Sequence, residues 1–486
     1  MKKCIPLIIL IHFVECLFIN SLLFLNAQVG WGPDVRLTYR PGYSYDPKAT
    51  CCGDTIHLVW WEGYVDSGIH EEVFYKRSTD AGSTWGLDMG LSVEDAVSST
   101  MPKISTSNGI IHVVWFEQSY GLLYRRSFDG GQTWQDTDSI APGMGYSSIR
   151  ACGDTVYLAG VAGSTGDLRF ARSTNAGNNW SPLINIARVS NSPTLKNIGT
   201  SVLNLAVSYG GYPNDEVYVI RSFDGGQTWS DTQMVSENTI ASQWPAMATD
   251  GSAGIHLSWF DYKYSPYPWT GDIFYRASKD SGCTWEPIDS LTVIHRAVAS
   301  DILAEGNNLH LVWEDDRFDF NHNFEIMYRM STNLGRNWQP EVRLTDTLNW
   351  SCGPSLACDG RYLHLFWFDL RDDTITIIGE IYYKRKDLLV SISEHSRGVL
   401  ASWLKLDAYP NPFSENLTVM MQFTPYETQD IAMMVYDIAG KEVVYRVPEK
   451  IRGRVEINTR NLPCGVYFVV VQAGEVNVMK KVVKVR

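Results

Sequence analysis

The chain has 486 residues, of which 20% are charged and 12% aromatic, a composition that excludes a disordered protein and favours a strand-rich globular one. The formal net charge of −13 argues against nucleic acid or an anionic membrane as the main partner. Residues 408–486 hold 10 basic and 8 acidic residues, a balance of +2, so the rest of the chain carries −15.

The chain begins like a secretory signal peptide. A charged start is followed by a mostly apolar run, residues 5–25, and Ala27 ends a stretch suited to cleavage. The run is almost long enough for a retained membrane anchor, but His12 and Glu15 would be costly at the centre of a bilayer. We therefore expect residues 1–27 to be removed. No later stretch of the sequence is apolar enough to span a membrane.

Seven cysteines follow the predicted leader. Their odd number argues against a disulfide framework, and no pair has zinc-site spacing with a matching pair of histidines. We expect no metal and no cofactor. One alternative is calcium, because the loop from Asp315 to Asn323 is rich in oxygen ligands.

One eight-residue motif, Ser-x-Asp/Asn-x-Gly-x-x-Trp, dominates the sequence and occurs at Ser78–Trp85, Ser127–Trp134, Ser173–Trp180, Ser222–Trp229, Ser278–Trp285 and Ser331–Trp338. The acid or amide can accept backbone N–H bonds, the glycine can adopt a left-handed backbone, and the tryptophan can anchor packing. A catalytic acid would not recur in every unit. The residues predicted to be structural are therefore Asp80, Asp129, Asn175, Asp224, Asp280 and Asn333.

The segments around each motif repeat as well. An apolar strand opened by His and closed by Trp, such as His57–Trp60, precedes a strand ending in Tyr and a basic residue, so each unit has the four strands of a propeller blade. There are seven such units but six motifs, and the last unit lacks a fourth strand. Asp34–Thr38 matches Glu341–Thr345, the fourth strand of the sixth unit. We predict an all-β propeller over residues 34–386, with seven blades favoured over six and the N-terminal strand completing the last blade.

The motif is the Asp box of the sialidase-like, or BNR-repeat, β-propellers, which the chain resembles from Asp34 to about Asp387. The resemblance implies a fold more than a function, because the box also occurs in glycosidases, lectin-like proteins and receptors. Sialidases use three arginines, a Tyr–Glu pair and an aspartate. That set has no clear counterpart here, since Arg36 and Arg343 occupy a repeated strand. The candidates for a catalytic role are Arg317, Arg371, Asp316 and Asp369.

The C-terminal part carries four ordered segments at Tyr409–Phe413, Val435–Lys441, Leu462–Phe468 and Met479–Arg486. They resemble the type A sorting domain of the type IX secretion system. Strands alternating with Pro- and Gly-containing turns predict a small β-sandwich. We expect a linker over residues 387–407 and a sorting domain over residues 408–486, with a carbohydrate-binding sandwich as the alternative.

A ligand is expected on the face opposite the Asp-box turns, where the second strand of each blade connects to the third and where each blade connects to the next. We call this the loop face. Its predicted ligand-binding residues are Trp61, Glu62, Tyr64, Asp261, Tyr262, Trp269, Arg317, Trp350 and Arg371, and the inter-blade loops add Tyr39, Tyr43, Tyr45 and Trp244.

Aromatic rings beside carboxylates suit sugars. In the alternative, the aromatics only pack the loops and the acids are solvated. The sequence thus predicts a secreted or surface protein that binds a glycan or surface polymer and contacts the type IX machinery, with an exo-glycosidase or a protein-binding scaffold as alternatives.

Overall fold

The regular structure of the chain consists of strands, with no helix among the described residues. A computed structural model describes residues 30–64, 70–163, 165–189, 192–211, 213–237, 240–265, 270–318, 323–372, 379–388, 404–423, 431–437, 442–446, 453–473 and 476–485. The predicted signal peptide, most of the predicted linker and Trp269 lie outside these residues. The chain divides into two compact units, residues 1–387 and 388–486. In the described part of the chain, no helix is long and apolar enough to cross a membrane.

The first unit contains seven four-stranded antiparallel sheets in its described residues. Blades 1 to 3 consist of β2 (Gly42–Cys52), β3 (Thr55–Tyr64), β4 (Glu71–Ser78) and β5 (Met89–Gly90); β6 (Ser99–Ser107), β7 (Ile110–Glu117), β8 (Gly121–Ser127) and β9 (Asp138–Ala141); and β10 (Met144–Cys152), β11 (Thr155–Ala162), β12 (Asp167–Ser173) and β13 (Ile184–Arg188).

Blades 4 to 6 consist of β14 (Thr194–Ile198), β15 (Val202–Tyr209), β16 (Glu216–Ser222) and β17 (Gln233–Met234); β18 (Ser242–Thr249), β19 (Ile255–Asp261), β20 (Asp272–Ser278) and β21 (Asp289–Ser290); and β22 (Ala297–Glu305), β23 (Asn308–Asp315), β24 (Glu325–Ser331) and β25 (Val342–Arg343). Blade 7 consists of β26 (Ser351–Cys358), β27 (Tyr362–Asp369), β28 (Glu380–Asp387) and, from the start of the chain, β1 (Val35–Arg36).

The blades form a closed ring. The first strands of successive blades contact one another from β2 through to β26, and β26 in turn contacts β2. β1 pairs antiparallel with β28, with Val35 opposite Tyr383. The N-terminal strand therefore supplies the fourth strand of the last blade, as predicted, and the arrangement agrees with seven blades.

Five of the seven blades are pinned internally by a histidine on the second strand. His57 Nδ1 lies 2.7 Å from the hydroxyl of Tyr75 on the neighbouring strand. Burial lowers the pKa of His57 to about 4, so the ring is neutral and acts as a fixed hydrogen-bond partner. The same contact is made by His112–Tyr124, His256–Tyr275, His310–Tyr328 and His364–Tyr383.

The Asp boxes are turns closed by side chains. In the first box, Asp80 Oδ1 accepts the Thr84 N–H at 2.8 Å, and the Gly82 N–H donates to Ser78 Oγ at 2.9 Å. The equivalent acceptors of a backbone N–H are Asp129, Asn175, Asp224, Asp280 and Asn333.

The box also fastens its blade to the preceding one. Gly82 has φ +80°, and a Cβ there would lie 1.9 Å from the hydroxyl oxygen of Tyr383 in blade 7, so glycine is required. Trp85 then packs edge-on against the same ring, with centroids 5.2 Å apart. Corresponding contacts join Trp134 to Tyr75, Trp180 to Tyr124, Trp229 to Phe170 and Trp338 to Tyr275.

The second unit contains two sheets in its described residues. One has the strand order β29 (Leu404–Tyr409), β30 (Asn416–Phe423) and β33 (Gly453–Asn458), and the other has the order β32 (Glu442–Arg446), β31 (Ile431–Asp437), β34 (Gly465–Ala473) and β35 (Val476–Lys484). Apolar side chains from both sheets form one buried core that includes Leu417, Val419, Ile457, Val435, Val469 and Val471. This arrangement is consistent with the predicted β-sandwich.

The N-terminal segment is held by charge as well as by strand pairing. The Asp34 carboxylate pairs with Arg371 at 2.6 Å and with Lys384 at 2.8 Å, both in blade 7. Leu37, which is 2% exposed, packs in a core shared by blades 1 and 7. Burial of the segment therefore joins the two ends of the ring.

We predict that Leu37→Ala lowers the free energy of unfolding by about 2–5 kcal/mol, because it leaves a cavity at the junction of the first and last blades. Deletion of residues 31–38 should lower the melting temperature further, since it also removes the β1–β28 pairing. Thermal unfolding of the mature chain measures both effects. The control is Leu348→Ala, because Leu348 is 94% exposed. An unchanged melting temperature after the deletion would show that the ring is stabilised elsewhere.

Candidate functional site

The two faces of the propeller differ in the connections that they carry. The Ala81 N–H of the first Asp box donates to the Asp54 carbonyl in the β2–β3 turn at 2.9 Å, so these turns and the Asp boxes share one face, the Asp-box face. The other connections emerge on the loop face. The seven innermost strands (β2, β6, β10, β14, β18, β22 and β26) surround a central channel between the two faces.

Three acids of the predicted sites, two from the ligand-binding set and one catalytic candidate, are buried supports of the repeat. Glu62, Asp261 and Asp369 each accept a hydrogen bond from the indole N–H of a tryptophan two positions earlier, at 3.0, 3.0 and 2.7 Å. Glu117 and Asp315 make the same contact in blades 2 and 6. Because the contact recurs in five blades, we assign these carboxylates to the fold, as we did the Asp boxes. The Trp-x-Glu/Asp pattern that reveals them is visible in the sequence.

The two candidate arginines hold these buried carboxylates. Arg371 donates from Nε and Nη2 to the two oxygens of Asp369 at 2.9 and 2.7 Å, and from Nη1 to Asp34 at 2.6 Å. Arg317 binds Asp315 in the same way in blade 6, and it also pairs with the residue equivalent to Asp34. Each arginine is therefore neutralised within its own blade, and among the described residues the two share no partner.

The two other predictions for blade 6 concern Asp316 and calcium. Asp316 is buried, with Oδ2 3.4 Å from Nη1 of Arg296. In the loop that would suit calcium, both oxygens of Asp315 already accept protein hydrogen bonds, and residues 319–322 lie outside the described part. Among the described residues no cluster of three metal-ligating side chains occurs. Calcium binding therefore has no support from these contacts.

Some predicted aromatic residues pack against one another on the loop face. The half-buried Trp61 contacts Tyr43 and Tyr45, with ring centroids 5.6 and 5.2 Å apart. The Tyr64 hydroxyl accepts a hydrogen bond from Arg40 at 2.6 Å. These contacts fit the alternative in which aromatics stabilise the loops.

On other blades the aromatic residues have fewer neighbours. Tyr262 lies edge-on to Phe260, with centroids 4.5 Å apart, and is half-buried. Trp350 lies edge-on to Phe324, at 5.9 Å, and is exposed. Trp350 is therefore available to a ligand, whereas Tyr262 is partly covered.

A repeated irregularity of the innermost strands shapes the mouth of the channel. The pairing of the first and second strands shifts register in six blades. At each shift one residue has a positive φ, namely Asp46, Met101, Tyr146, Trp244, Ala299 and Gly353. Such β-bulges redirect side chains, and they often occur near functional sites.

The bulges and their neighbours leave four aromatic side chains exposed on the loop-face side. Tyr45, Tyr146, Trp244 and Trp350 are between 42% and 49% exposed, and we call them the rim aromatics. Trp244 has φ +52°, an uncommon conformation for a bulky residue, and its ring stacks on Phe260 with centroids 5.8 Å apart. The residue with the strained backbone is thus the same residue that exposes its aromatic ring on the loop face.

Below the rim, the channel carries charge. Lys48 and Lys103 occupy equivalent positions in blades 1 and 2, and Asp46 lies between them, with Oδ1 2.5 Å from one ammonium and Oδ2 3.3 Å from the other. Although burial opposes ionisation, the two ammonium groups hold the pKa of Asp46 well below its usual value. This carboxylate is therefore an internal bridge between two cations.

A second pair of cations lies one step further from the loop face. Arg150 on β10 and Lys196 on β14 occupy equivalent positions in blades 3 and 4. Burial and the charge of Arg150 lower the pKa of Lys196 to about 8. Burial raises the pKa of Asp301 in blade 6, and the charges of Lys196 and Lys48 oppose that rise. Since neither lysine is in a blade adjacent to blade 6, the three side chains face a common space.

Glu314 is the titratable acid of this region with a pKa near neutrality. Burial raises its pKa to about 7. Two contacts oppose this rise: the Gly353 N–H donates to Oε1 at 2.7 Å, and Lys48 contributes a positive charge. The charge of Glu314 also helps burial to raise the pKa of Tyr45 to about 12. No motif in the sequence marks these channel-facing residues, so only the structure brings them together.

We predict that Arg371→Ala lowers the free energy of unfolding by about 3–5 kcal/mol, because it leaves the buried Asp369 carboxylate without its cationic partner. Chemical denaturation of the mature chain measures the change. Arg361→Ala, which removes an exposed arginine paired with Asp387 at 3.6 Å, is the matched control and should have little effect. Unchanged stability together with lost ligand binding would instead identify Arg371 as a binding residue.

We also predict a pH effect from Glu314. Because its pKa rises from 4.5 to about 7 on folding, the native state favours the neutral acid. Its contribution to stability is present below pH 4.5 and is lost as the pH rises towards and through 7. Glu314→Gln should remove this part of the pH dependence of the melting temperature, whereas the surface variant Glu286→Gln should keep the wild-type slope. An identical slope in both variants would rule out this titration.

Solved structures with a similar fold include three whose names refer to carbohydrate enzymes. The polysaccharide lyase Uly1 is 8% identical, with 74% of this chain and 100% of that chain covered and a TM-score of 0.51. The Hadza microbial sialidase Hz136 is 17% identical, with 71% and 66% covered and a TM-score of 0.42. The phage phi92 endosialidase is 12% identical, with 93% and 87% covered and a TM-score of 0.48. At such identities the likeness concerns the fold alone.

No curated protein sequence matches the chain. Residues 407–485 match the family described as "Secretion system C-terminal sorting domain". This match coincides with the segment identified by its four ordered motifs. Residues 407–485 are therefore a type IX sorting domain, and the protein is secreted or displayed on the outer cell surface.

Proposed function

We propose that the propeller binds a glycan or a surface polymer at the mouth of its channel on the loop face. The observation that carries the proposal is the set of rim aromatics, two of which, Tyr146 and Trp244, are presented by left-handed residues in β-bulges. Exposed aromatic faces provide stacking surfaces for sugar rings, and backbone strain is commonly concentrated at functional sites. The sorting domain brings this surface to the outside of the cell, where polysaccharides are found.

Binding is favoured over hydrolysis because the candidate catalytic residues have structural partners. Arg317 and Arg371 neutralise carboxylates of the fold, and Asp369 supports a tryptophan. Asp316 pairs with Arg296. These residues stay candidates by position, but their contacts favour a structural role.

An exo-glycosidase remains the second candidate, and one observation favours it. Glu314 faces the channel region with a pKa of about 7, which suits a group that transfers protons near neutral pH. Glycoside hydrolysis needs a second carboxylate, and in this hypothesis Asp301 of the same blade would supply it. Release of reducing sugar or cleavage of a fluorogenic sialoside, lost in Glu314→Gln, would establish hydrolysis.

The binding proposal is tested with a glycan array and then by titration of the strongest ligand into the mature chain. Trp244→Ala and Trp350→Ala should each weaken binding about tenfold, because each removes a stacking surface. Phe128→Ala and Phe223→Ala are matched controls, since both rings are similarly exposed but belong to Asp boxes on the opposite face.

Equal losses in all four variants would contradict a site at the rim. If no polysaccharide or glycoprotein bound, the glycan proposal would be wrong. Capture of a defined outer-surface protein, dependent on Trp244, would then favour the scaffold alternative.

A further inference from the structure

The second pair of channel cations differs from the first in one respect. Lys48 and Lys103 lie in adjacent blades with the carboxylate of Asp46 between them. Arg150 and Lys196 likewise lie at equivalent positions in adjacent blades. Among the described residues, however, no carboxylate forms an ion pair with either of them.

Arg150 is held in a fixed orientation. Its Nε donates to Oδ1 of Asn197 at 2.9 Å, and Nδ2 of Asn197 donates in turn to the Gly199 carbonyl at 2.6 Å. This chain of bonds uses one edge of the guanidinium. The terminal nitrogens, which form the fork that recognises oxyanions, have no hydrogen-bond partner in the described part of the chain.

Lys196 completes the pair. Across the described ranges, no hydrogen bond or ion pair within 4 Å engages its ammonium. Asp301 acts on it only as a charge across the channel, and one oxygen of that carboxylate already accepts the Leu356 N–H at 2.8 Å. Burial and the neighbouring guanidinium both disfavour the charged ammonium, as its lowered pKa reflects. Two like charges in a partly dehydrated channel are unfavourable unless an anion lies between them.

The surrounding charge makes this pair unusual for the domain. The chain before residue 408 carries −15, yet four cations (Lys48, Lys103, Arg150 and Lys196) face the channel region against the carboxylates Asp46 and Asp301 and the partly neutral Glu314. A positive channel inside an acidic domain attracts small anions and repels cations. The larger excess lies at Arg150 and Lys196, since Asp46 offsets part of the charge of the other pair.

We propose that Arg150 and Lys196 form an oxyanion-binding site in the channel, which takes a carboxylate, sulfate or phosphate group in the place that Asp46 occupies between Lys48 and Lys103. The group has two sources with the same chemistry: a free inorganic anion, or an acidic sugar of a glycan held at the rim. The second source rests on the proposed function. In that case the site makes the propeller selective for acidic polysaccharides.

The test uses the mature chain, with inorganic sulfate, oligogalacturonate and neutral xylo-oligosaccharide as probes, in calorimetric titrations and thermal unfolding. Lys196→Gln should weaken binding of the anionic probes about tenfold or more, because a charge-assisted contact is lost, and Arg150→Gln should do the same. Lys279→Gln, which removes an exposed lysine of an Asp box, is the charge-matched control and should bind like the wild type.

A second readout separates a binding role from a structural one. Without any anion, Lys196→Gln removes a repulsion, so its melting temperature should equal or exceed that of the wild type, while its stabilisation by sulfate should disappear. If the variant were instead destabilised and still stabilised by sulfate to the wild-type extent, the lysine would be structural and the proposal would be wrong.

The outcomes also distinguish this site from the proposed function. Loss of both sulfate and oligogalacturonate binding in Lys196→Gln supports the site with an acidic glycan as its ligand. Sulfate binding that depends on Lys196, with no glycan bound by any variant, supports a free-anion site and removes the glycan function. Glycan binding that depends on Trp244 but is unchanged in Lys196→Gln and Arg150→Gln overturns the oxyanion site and leaves the glycan function standing.

Discussion

The structure depends on the contact between the Asp-box tryptophan of one blade and the aromatic residue of the preceding blade. A single four-stranded sheet has two faces, and neither is buried until a neighbour covers it. Trp85 reaches back to Tyr383, which makes blade 1 the cover of blade 7. The glycine of the box is required at the same place, because any side chain at Gly82 would collide with that tyrosine. The contact recurs at four further junctions, and β1 supplies the fourth strand that completes the last blade of the ring.

The same constraint explains where function can reside. At three of the repeated positions, polar groups already have partners within the fold: histidines bind tyrosine hydroxyls, acids bind indole N–H groups, and arginines bind those acids. Such groups cannot be removed without leaving a buried partner unsatisfied. We therefore expect a ligand to be recognised where the blades differ from one another. In this protein those differences are the side chains presented at the bulges of the innermost strands and the unequal charges that follow them.

The fold could be predicted from the sequence because its signals are periodic. The six Asp boxes marked the blades, and the likeness of Asp34–Thr38 to Glu341–Thr345 located the strand that closes the ring. Glu62 and Asp261 are predicted to bind a ligand, and Asp369 to be catalytic, on their acidity and loop position alone. That prediction leaves out their spacing from Trp60, Trp259 and Trp367. Counting Trp-x-Glu/Asp across the blades would have grouped them with the structural residues.

The channel could not be predicted in the same way. Whether Tyr146 is exposed depends on a register shift between β10 and β11, which no local motif encodes. Lys196 has no charged neighbour within β14. Its position next to the equivalent Arg150 of blade 3 arises only when the two blades pack side by side. Residues such as Trp269, which lies outside the described part of the chain, keep the status of predictions.

The bulges and the channel charges are physically linked. In a regular strand, side chains alternate between the two faces with a period of two residues, and one additional residue reverses the face of everything that follows. The bulge at Asp46 lies directly before Pro47 and Lys48, and the bulge at Met101 directly before Pro102 and Lys103. Each bulge thus determines which side chain of the following strand is directed inwards. A sequence that lost the bulge would exchange the inward-facing side chains for those now packed between blades. The positive φ angles at these positions are therefore the backbone strain that accompanies the bulges. The bulges let regular blades direct different side chains into the channel.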